Sequence, residues 1–362
     1  MLLRTQTPNE DNLQQHVSSI RQLKTNYLLM KAFTINRYSK EDKLQLVEVS
    51  EPAVKENDVL IQVHSSGINL LDAKLKSGEF KLLLPYKFPL ILGHDVAGIV
   101  TKVGSKVSHF KVGDEVFARP ADFRIGTFAE YIAVDENDVA LKPATISMEQ
   151  AASIPLVALT VWQAFVEKAK LKKGQKVFVQ AGSGGVGTIA IQLAKHLGAT
   201  VATTTSANNF ELVRSLGADV VIDYKTQDFE TTLKEYDLVL NSQDEKTLEK
   251  SLRILKKGGK VISISGPPDV AFANEIGLNL FLKTVMFFLS RKVRKQAKKL
   301  SVDYSFLFMQ ANGKQLSEIS SLIEAGVIRP VVDQVFPFEQ TNEAISYVAS
   351  GRAKGKVIVK VR

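Results

Sequence analysis

The run Gln180-Ala181-Gly182-Ser183-Gly184-Gly185-Val186-Gly187 constrains this chain more than any other stretch of it. It follows an apolar segment, Lys176 to Gln180, and opens a segment in which Val186, Ile189, Ala190, Leu193, Ala194 and Leu197 recur at helical spacing. Gly182, Gly184 and Gly187 satisfy G-x-G-x-x-G. The first glycine permits a tight turn, the second lets the backbone come close to a pyrophosphate, and the third lets the helix pack on the strand. The free N–H groups at the helix start then face the phosphates. In this strand–loop–helix context the motif predicts a βαβ unit that binds a dinucleotide.

The next strand begins at Thr200 and ends in Ala202-Thr203-Thr204-Thr205-Ser206-Ala207-Asn208-Asn209. An NAD-selective site places an Asp or Glu here to hold the ribose 2′-hydroxyl, and none is present. A carboxylate would repel a 2′-phosphate, whereas hydroxyls and amides with Arg214 and Lys225 near by can receive one. The pattern favours NADP; the other use for these polar side chains is to cap the following helix.

Strand patterns at 200–204, 219–223, 237–241, 259–265, 304–309 and 327–332 alternate with helical patterns at 186–197, 208–216, 246–256 and 314–325. That alternation predicts an α/β fold with a doubly wound parallel sheet. Upstream, from Met30 to about residue 150, short β-like segments at 31–36, 44–49, 58–64, 96–103, 114–118 and 128–134 are separated by turns such as Lys111-Val112-Gly113-Asp114. They predict a compact antiparallel barrel or sandwich. A length of 362 residues accommodates both units. Residues 1–29 are polar, show no strand or helix period, and are read as a disordered extension outside the fold. They fit neither a secretory signal nor an Arg-rich transit peptide, so a cytoplasmic protein is expected.

The chain has no cysteine. A disulfide framework, a Cys-ligated zinc, an iron–sulfur cluster and a thiol nucleophile are therefore all excluded. His64, His94 and His109 lie far apart and show no metal-ligand spacing, so no metal site is expected and His94 reads as a structural or pocket-lining residue.

Further motifs extend the reading to the whole chain. Gly67-Ile68-Asn69-Leu70-Leu71-Asp72, Gly93-His94-Asp95-Val96-Ala97-Gly98, Val112-Gly113-Asp114-Glu115-Val116, Gly126-Thr127-Phe128-Ala129-Glu130-Tyr131, Pro155 to Thr160, Ala181 to Gly187, Leu216-Gly217-Ala218-Asp219 through Asp223-Tyr224, and Gly355-Lys356 run in order. With them the chain from Met30 to Arg362 resembles the zinc-independent quinone oxidoreductase-like branch of the medium-chain dehydrogenase/reductase superfamily. The resemblance implies a GroES-like β-barrel catalytic domain over 30–155, completed by the returning segment 336–362, and a Rossmann NADP-binding domain over 156–335. Relatives that oxidise alcohols hold a catalytic zinc with Cys, His and an acid. Here His94-Asp95 stand at the matching site, but Leu70-Leu71 fall where the first ligand would be.

Without a Lewis acid the carbonyl must be easily reduced, which points to quinones and α,β-unsaturated ketones or aldehydes. By the same resemblance Asn69 and Thr160 lie near the nicotinamide, and Ser183, Gly184, Gly185, Val186 and Gly187 at the pyrophosphate. Ser206, Asn209 and Tyr224 surround the 2′-phosphate, and Asn241, Ser265, Gly266 and Lys356 follow the rest of an NADPH molecule. Asn69, Asp72 and His94 are the pocket candidates, and no single catalytic acid is demanded.

The formal charge of +9 is concentrated. Lys283, Arg291, Lys292, Arg294, Lys295, Lys298 and Lys299 occur with no acid between them, which leaves +2 for the rest of the chain. Just before them lies the most apolar stretch, Leu278 to Leu289, well short of the ~20 residues needed to span a bilayer. Segment 278–299 is read as packed on the cofactor domain or in a subunit interface, with a solvated basic end. By the same resemblance the strand at Val302 to Met309 is a sheet edge that pairs in a homodimer. The rival reading is a nucleotide-binding protein of the same fold that acts on RNA or at a membrane surface through this patch. The absence of aromatic residues from Arg291 to Lys299 counts against nucleic acid.

Overall fold

The computed structural model describes residues 29–362. The expected extension therefore lies outside the described residues except for Leu29, which opens the first strand, Leu29–Ile35. Six parallel strands form one sheet in the order Val220–Asp223, Thr200–Thr205, Lys176–Val179, Tyr236–Asn241, Leu255–Ser263, Asp303–Phe306. Numbered along the chain this order is 3-2-1-4-5-6, the Rossmann arrangement, and its switch point lies between Lys176–Val179 and Tyr236–Asn241. The first strand can occupy the centre because Val177, Phe178 and Val179 are all fully buried and both faces are covered by other elements. The helix Gly185–His196 follows it and packs Ile189, Ala190, Leu193 and Ala194 into the same core.

The second sheet is built around the long strand Asp58–Ile68. Its register shifts at Leu60/Ile61 and Val63/Ser65, so the strand bends as a barrel wall must. Its first half pairs with Tyr131–Asp135 and its second half with the C-terminal strand Lys356–Lys360; Asp95–Val103 lies on the other side. The chain end thus closes the GroES-like barrel. A small sheet of Gln45–Ser50, Leu29–Ile35 and Leu90–Ile91 flanks it.

Two expectations are corrected. The strand read at 327–332 as part of the Rossmann sheet is Val332–Pro337, and it pairs in parallel with Lys356–Lys360 in the barrel. The chain re-enters the barrel at Val332 rather than Phe336. The two strands are joined by the helix Thr341–Ala349, a parallel strand–helix–strand unit whose pattern is the same in either domain. Segment 278–299 is two helices, Leu280–Leu289 and Arg291–Leu300, and the apolar residues of the first are largely exposed on the single chain, so of the two placements expected for them packing on the cofactor domain is the one overturned.

Candidate active site

The glycine loop is held tightly from below and open above. Ala181 adopts a left-handed φ of 50°, which turns the chain sharply out of its strand. A Cβ on Gly182 would meet the Thr203 Oγ1 at 2.1 Å, and one on Gly187 would meet the Ala181 carbonyl oxygen at 2.3 Å. These two glycines are required by packing. Gly184 differs: its added Cβ would meet only the Ala181 carbonyl oxygen, at 3.3 Å, because that side of the backbone faces the cleft. Gly184 caps a 12-residue helix with no acid in its first turn and no side chain on its leading N–H groups. An anion approaching the loop therefore meets bare backbone donors and the positive end of the helix.

The barrel supplies the opposite wall and locks onto the loop directly. Gly355 N–H donates to the Ser183 carbonyl at 2.7 Å, which aligns the last barrel strand with the loop. The next residue, Lys356, is almost fully buried, and all three of its ammonium hydrogens are used. They go to the Ile68 carbonyl (3.0 Å), the Asn69 side-chain oxygen (2.5 Å) and Asp95 Oδ2 (3.0 Å). Asn69 Nδ2 donates to the same Asp95 oxygen at 2.9 Å, and the other oxygen, Oδ1, accepts the Leu156 N–H at 2.7 Å. Behind this cluster Asp72 Oδ2 accepts the Asn69 N–H at 2.7 Å, while Asp72 Oδ1 lies 2.6 Å from His94 Nδ1. The buried Lys356 and Asp95 charges are paired and hydrogen-bonded within the network, as burial requires, while His94 Nε2 has no partner.

Between the two walls lies a cleft of about 390 Å³ at the carboxyl ends of the parallel strands. Asn69, Thr160 and Lys356 line it together with apolar side chains that include Leu71, Phe80, Leu156 and Phe308. A second cavity of about 440 Å³ shares Arg119 and Phe308 with the first. At the strand end beyond the loop, Ser183 Oγ receives hydrogen bonds from Thr205 Oγ1 (2.8 Å) and Asn209 Nδ2 (3.2 Å), and Asn209 Nδ2 also reaches Ser206 Oγ. No carboxylate enters this polar cluster.

The comparisons agree with this architecture. A family model described as an alcohol dehydrogenase GroES-like domain matches residues 55–144, and one described as a zinc-binding dehydrogenase matches residues 216–359. The mitochondrial NAD(P)H oxidoreductase RTN4IP1 of Danio rerio is 36% identical over 92% of each chain. A 2-methylene-furan-3-one reductase of Solanum lycopersicum is 36% identical over 91% of this chain and 79% of its own. The structure of Escherichia coli quinone oxidoreductase complexed with NADPH superposes with a TM-score of 0.77 at 28% identity, covering 91% of this chain and 100% of the other. The chain belongs to the quinone oxidoreductase-like branch of the medium-chain dehydrogenase/reductase superfamily. It is an oxidoreductase of the NAD(P)H-using kind.

The donors at the zinc position of this superfamily member do not fit the ion that one matching family model is named for. His94 gives its Nδ1 to Asp72 and leaves Nε2 without a partner, so the misfit lies in the other donors: Asp95 is surrounded by Lys356, Asn69 and the Leu156 N–H, and the chain has no cysteine. Among the described residues no group of three His, Asp or Glu side chains is placed to hold a metal.

Of the residues singled out from sequence, Asn69, Thr160, Gly184, Gly185, Val186, Gly187, Ser265 and Lys356 line the one cleft. Ser183 sits at its edge and joins the polar cluster with Ser206 and Asn209, while Tyr224 is exposed beyond it. Asn241 is fully buried and does not line the cleft. It ties Gln180 to Ser263, and the Ser263 hydroxyl in turn receives the Gly266 N–H at 2.8 Å, which shapes the loop that carries Ser265. Asp72 and His94 also lie beneath the cleft wall rather than in it. Sequence reasoning missed Arg119, a fully buried side chain between the two cavities, and Phe80 and Phe308. The only signal for Arg119 was a charge directly after the apolar run Val116-Phe117-Ala118.

Proposed function

We propose that this chain is an NADPH-dependent, zinc-independent reductase of quinones or α,β-unsaturated ketones and aldehydes. The observation that carries the reading is a cleft in which a glycine cradle faces an apolar wall across a closed polar cluster. Bound at the cradle, NADPH supplies a hydride from C4 of its nicotinamide. Ser183, Gly185, Val186 and Gly187 offer the backbone donors for the pyrophosphate, Gly184, whose own N–H is bonded to the Ala181 carbonyl, leaves room for its approach, and Asn69 and Thr160 line the end of the cleft away from the adenosine. Ser206, Asn209 and Tyr224 offer hydroxyl and amide groups to the 2′-phosphate. Asn241 and Gly266 act through Ser263 to hold Ser265.

The chemistry of the acceptor follows from what the wall lacks. Lys356 has no hydrogen left to donate, both Asn69 amide hydrogens are taken, and Thr160 Oγ1 donates to the Leu156 carbonyl at 2.7 Å. With these three donors engaged, this part of the wall suits an acceptor that delocalises the incoming negative charge itself, as quinones and enones do; Arg119, which lines the cleft with its Nε unpartnered, is a further donor within it. The proton that completes the reduction then comes from water. The similarity to a 2-methylene-furan-3-one reductase of Solanum lycopersicum and to Escherichia coli quinone oxidoreductase supports the same substrate class.

The test is to follow NADPH absorbance on adding phenanthrenequinone and, separately, a short-chain enone, with NADH as the control. The reading expects oxidation with NADPH and little with NADH. Tight NADPH binding with neither acceptor reduced contradicts it.

A further inference from the structure

The helix Leu280–Leu289 is inverted for a helix on a globular surface. Its outward residues are Leu280 (80% exposed), Phe281 (74%), Thr284, Phe287 (45%) and Phe288 (61%). They recur at i, i+1, i+4, i+7 and i+8, which is one continuous face. Met286 is the residue buried beneath. Three phenylalanines and a leucine side by side form a patch of several hundred Å², the size at which exposed apolar surface marks an interaction site.

What adjoins the patch identifies its partner. At Ser290 the chain passes directly into the helix Arg291–Leu300, which buries Val293 and Ala297 and exposes Arg291, Lys292, Lys295, Lys298 and Lys299. Lys292 is held by Glu245 (2.8 Å) and Glu249 (2.7 Å). Among the described residues no carboxylate pairs with Arg291, Lys295, Lys298 or Lys299. The Arg294 guanidinium lies 4.5 Å from the Phe287 ring centre and donates to the Phe287 carbonyl, so the apolar and basic surfaces are fastened edge to edge.

We propose that these two helices dock the protein on a bilayer surface rich in anionic lipid. The apolar face would enter the boundary between headgroups and acyl chains, and the lysines would meet the lipid charge. No helix among the described residues is long and apolar enough to cross a membrane, so the contact is peripheral. A second copy of this chain is the weaker occupant, because a symmetric contact through this face brings one uncompensated basic helix toward its equivalent. The inference is independent of the substrate reading. Ile276 and Leu278, which line the second cavity, directly precede this helix.

Flotation of the full chain with vesicles tests it. The protein is expected to float with vesicles of mixed phosphatidylcholine and phosphatidylglycerol, less at high salt, and to stay behind with phosphatidylcholine alone. Replacing Lys295, Lys298 and Lys299 together by Ala is expected to lower partitioning roughly a hundredfold, about fivefold per lysine. F281S with F288S is expected to lower it at least about tenfold. All of these residues are exposed and outside the cleft, so thermal stability and NADPH binding should be unchanged. Three results overturn the proposal: no flotation with anionic vesicles, flotation that the lysine variant does not weaken, or a dimer that F281S with F288S dissociates, which would assign the face to a second copy.

Discussion

Replacing Gly184 and Gly187 separately by alanine tests the assignment of the glycine loop, because the two glycines have different surroundings. A methyl on Gly187 would lie 2.3 Å from the Ala181 carbonyl oxygen and 2.6 Å from the Gly182 Cα. Both are backbone atoms at the base of the loop and neither can swing aside, so the loop must deform. Overpacking of this kind costs about 3 kcal/mol. A methyl on Gly184 meets a single atom at 3.3 Å, which a shift of a few tenths of an ångström relieves, and so costs well under about 1 kcal/mol. That methyl instead occupies the space over the helix start where a pyrophosphate must come within hydrogen-bond distance. Losing one or two charge-assisted hydrogen bonds, each about 1.5–3 kcal/mol, weakens binding by at least about tenfold. Thermal melts should show G187A shifted down by several degrees and G184A close to wild type. NADPH fluorescence titration should show G184A with the raised Kd. If G184A binds NADPH as wild type does, the cleft side of the loop is not the pyrophosphate site and the reasoning fails.

Further outcomes follow from the same contacts. K356M should cost about 3–5 kcal/mol by leaving Asp95 buried without its cation, and adding D95N should recover a large part of that loss; simple additivity in a double-mutant cycle of urea midpoints would show the pair is not coupled. Ser206→Glu should weaken NADPH roughly a hundredfold through repulsion of the 2′-phosphate while leaving NADH near its original affinity, and equal losses for both would remove Ser206 from that site. Burial pushes the Asp58 carboxyl up, but hydrogen bonds from Arg124 and the Lys55 N–H outweigh it and hold its pKa below the ordinary value of 3.8. A depressed carboxylate stabilises the fold above the unfolded pKa and loses that contribution as pH falls through the folded one. The stability gap between wild type and D58N should therefore be widest near neutrality and shrink as the pH drops below about 4; a gap constant through the acid range would refute it.

The parts of the fold that were legible in the sequence are those fixed by local spacing. The glycine loop, its strand and its helix are contiguous, and each constrains the next, so reading them needed no knowledge of distant contacts. The strand Val332–Pro337 was assigned to the wrong sheet because its crossover through Thr341–Ala349 obeys the same alternation as a Rossmann unit, and only pairing with Lys356–Lys360 distinguishes them. Family resemblance named Asn69, Asp72, His94 and Lys356 one by one, but the polar cluster they form behind the cleft was not legible. Asn69 and Lys356 touch across 287 positions, and nothing local to either announces the other. Leu280 to Leu289 has a composition that suits a buried helix as well as an exposed one, and the difference lies in whether any other element covers it. Arg119 was invisible for a related reason: a charge after an apolar strand ordinarily marks the return to solvent, and here it turns inward between two cavities.

Transfer of label from C4-deuterated NADPH to an enone tests the central claim most directly, because it follows the hydride rather than the disappearance of the cofactor. The account predicts a saturated product carrying one deuterium at the β-carbon, delivered to a single face, with the α-hydrogen drawn from solvent. NADPH consumption that yields no β-labelled saturated product would contradict it.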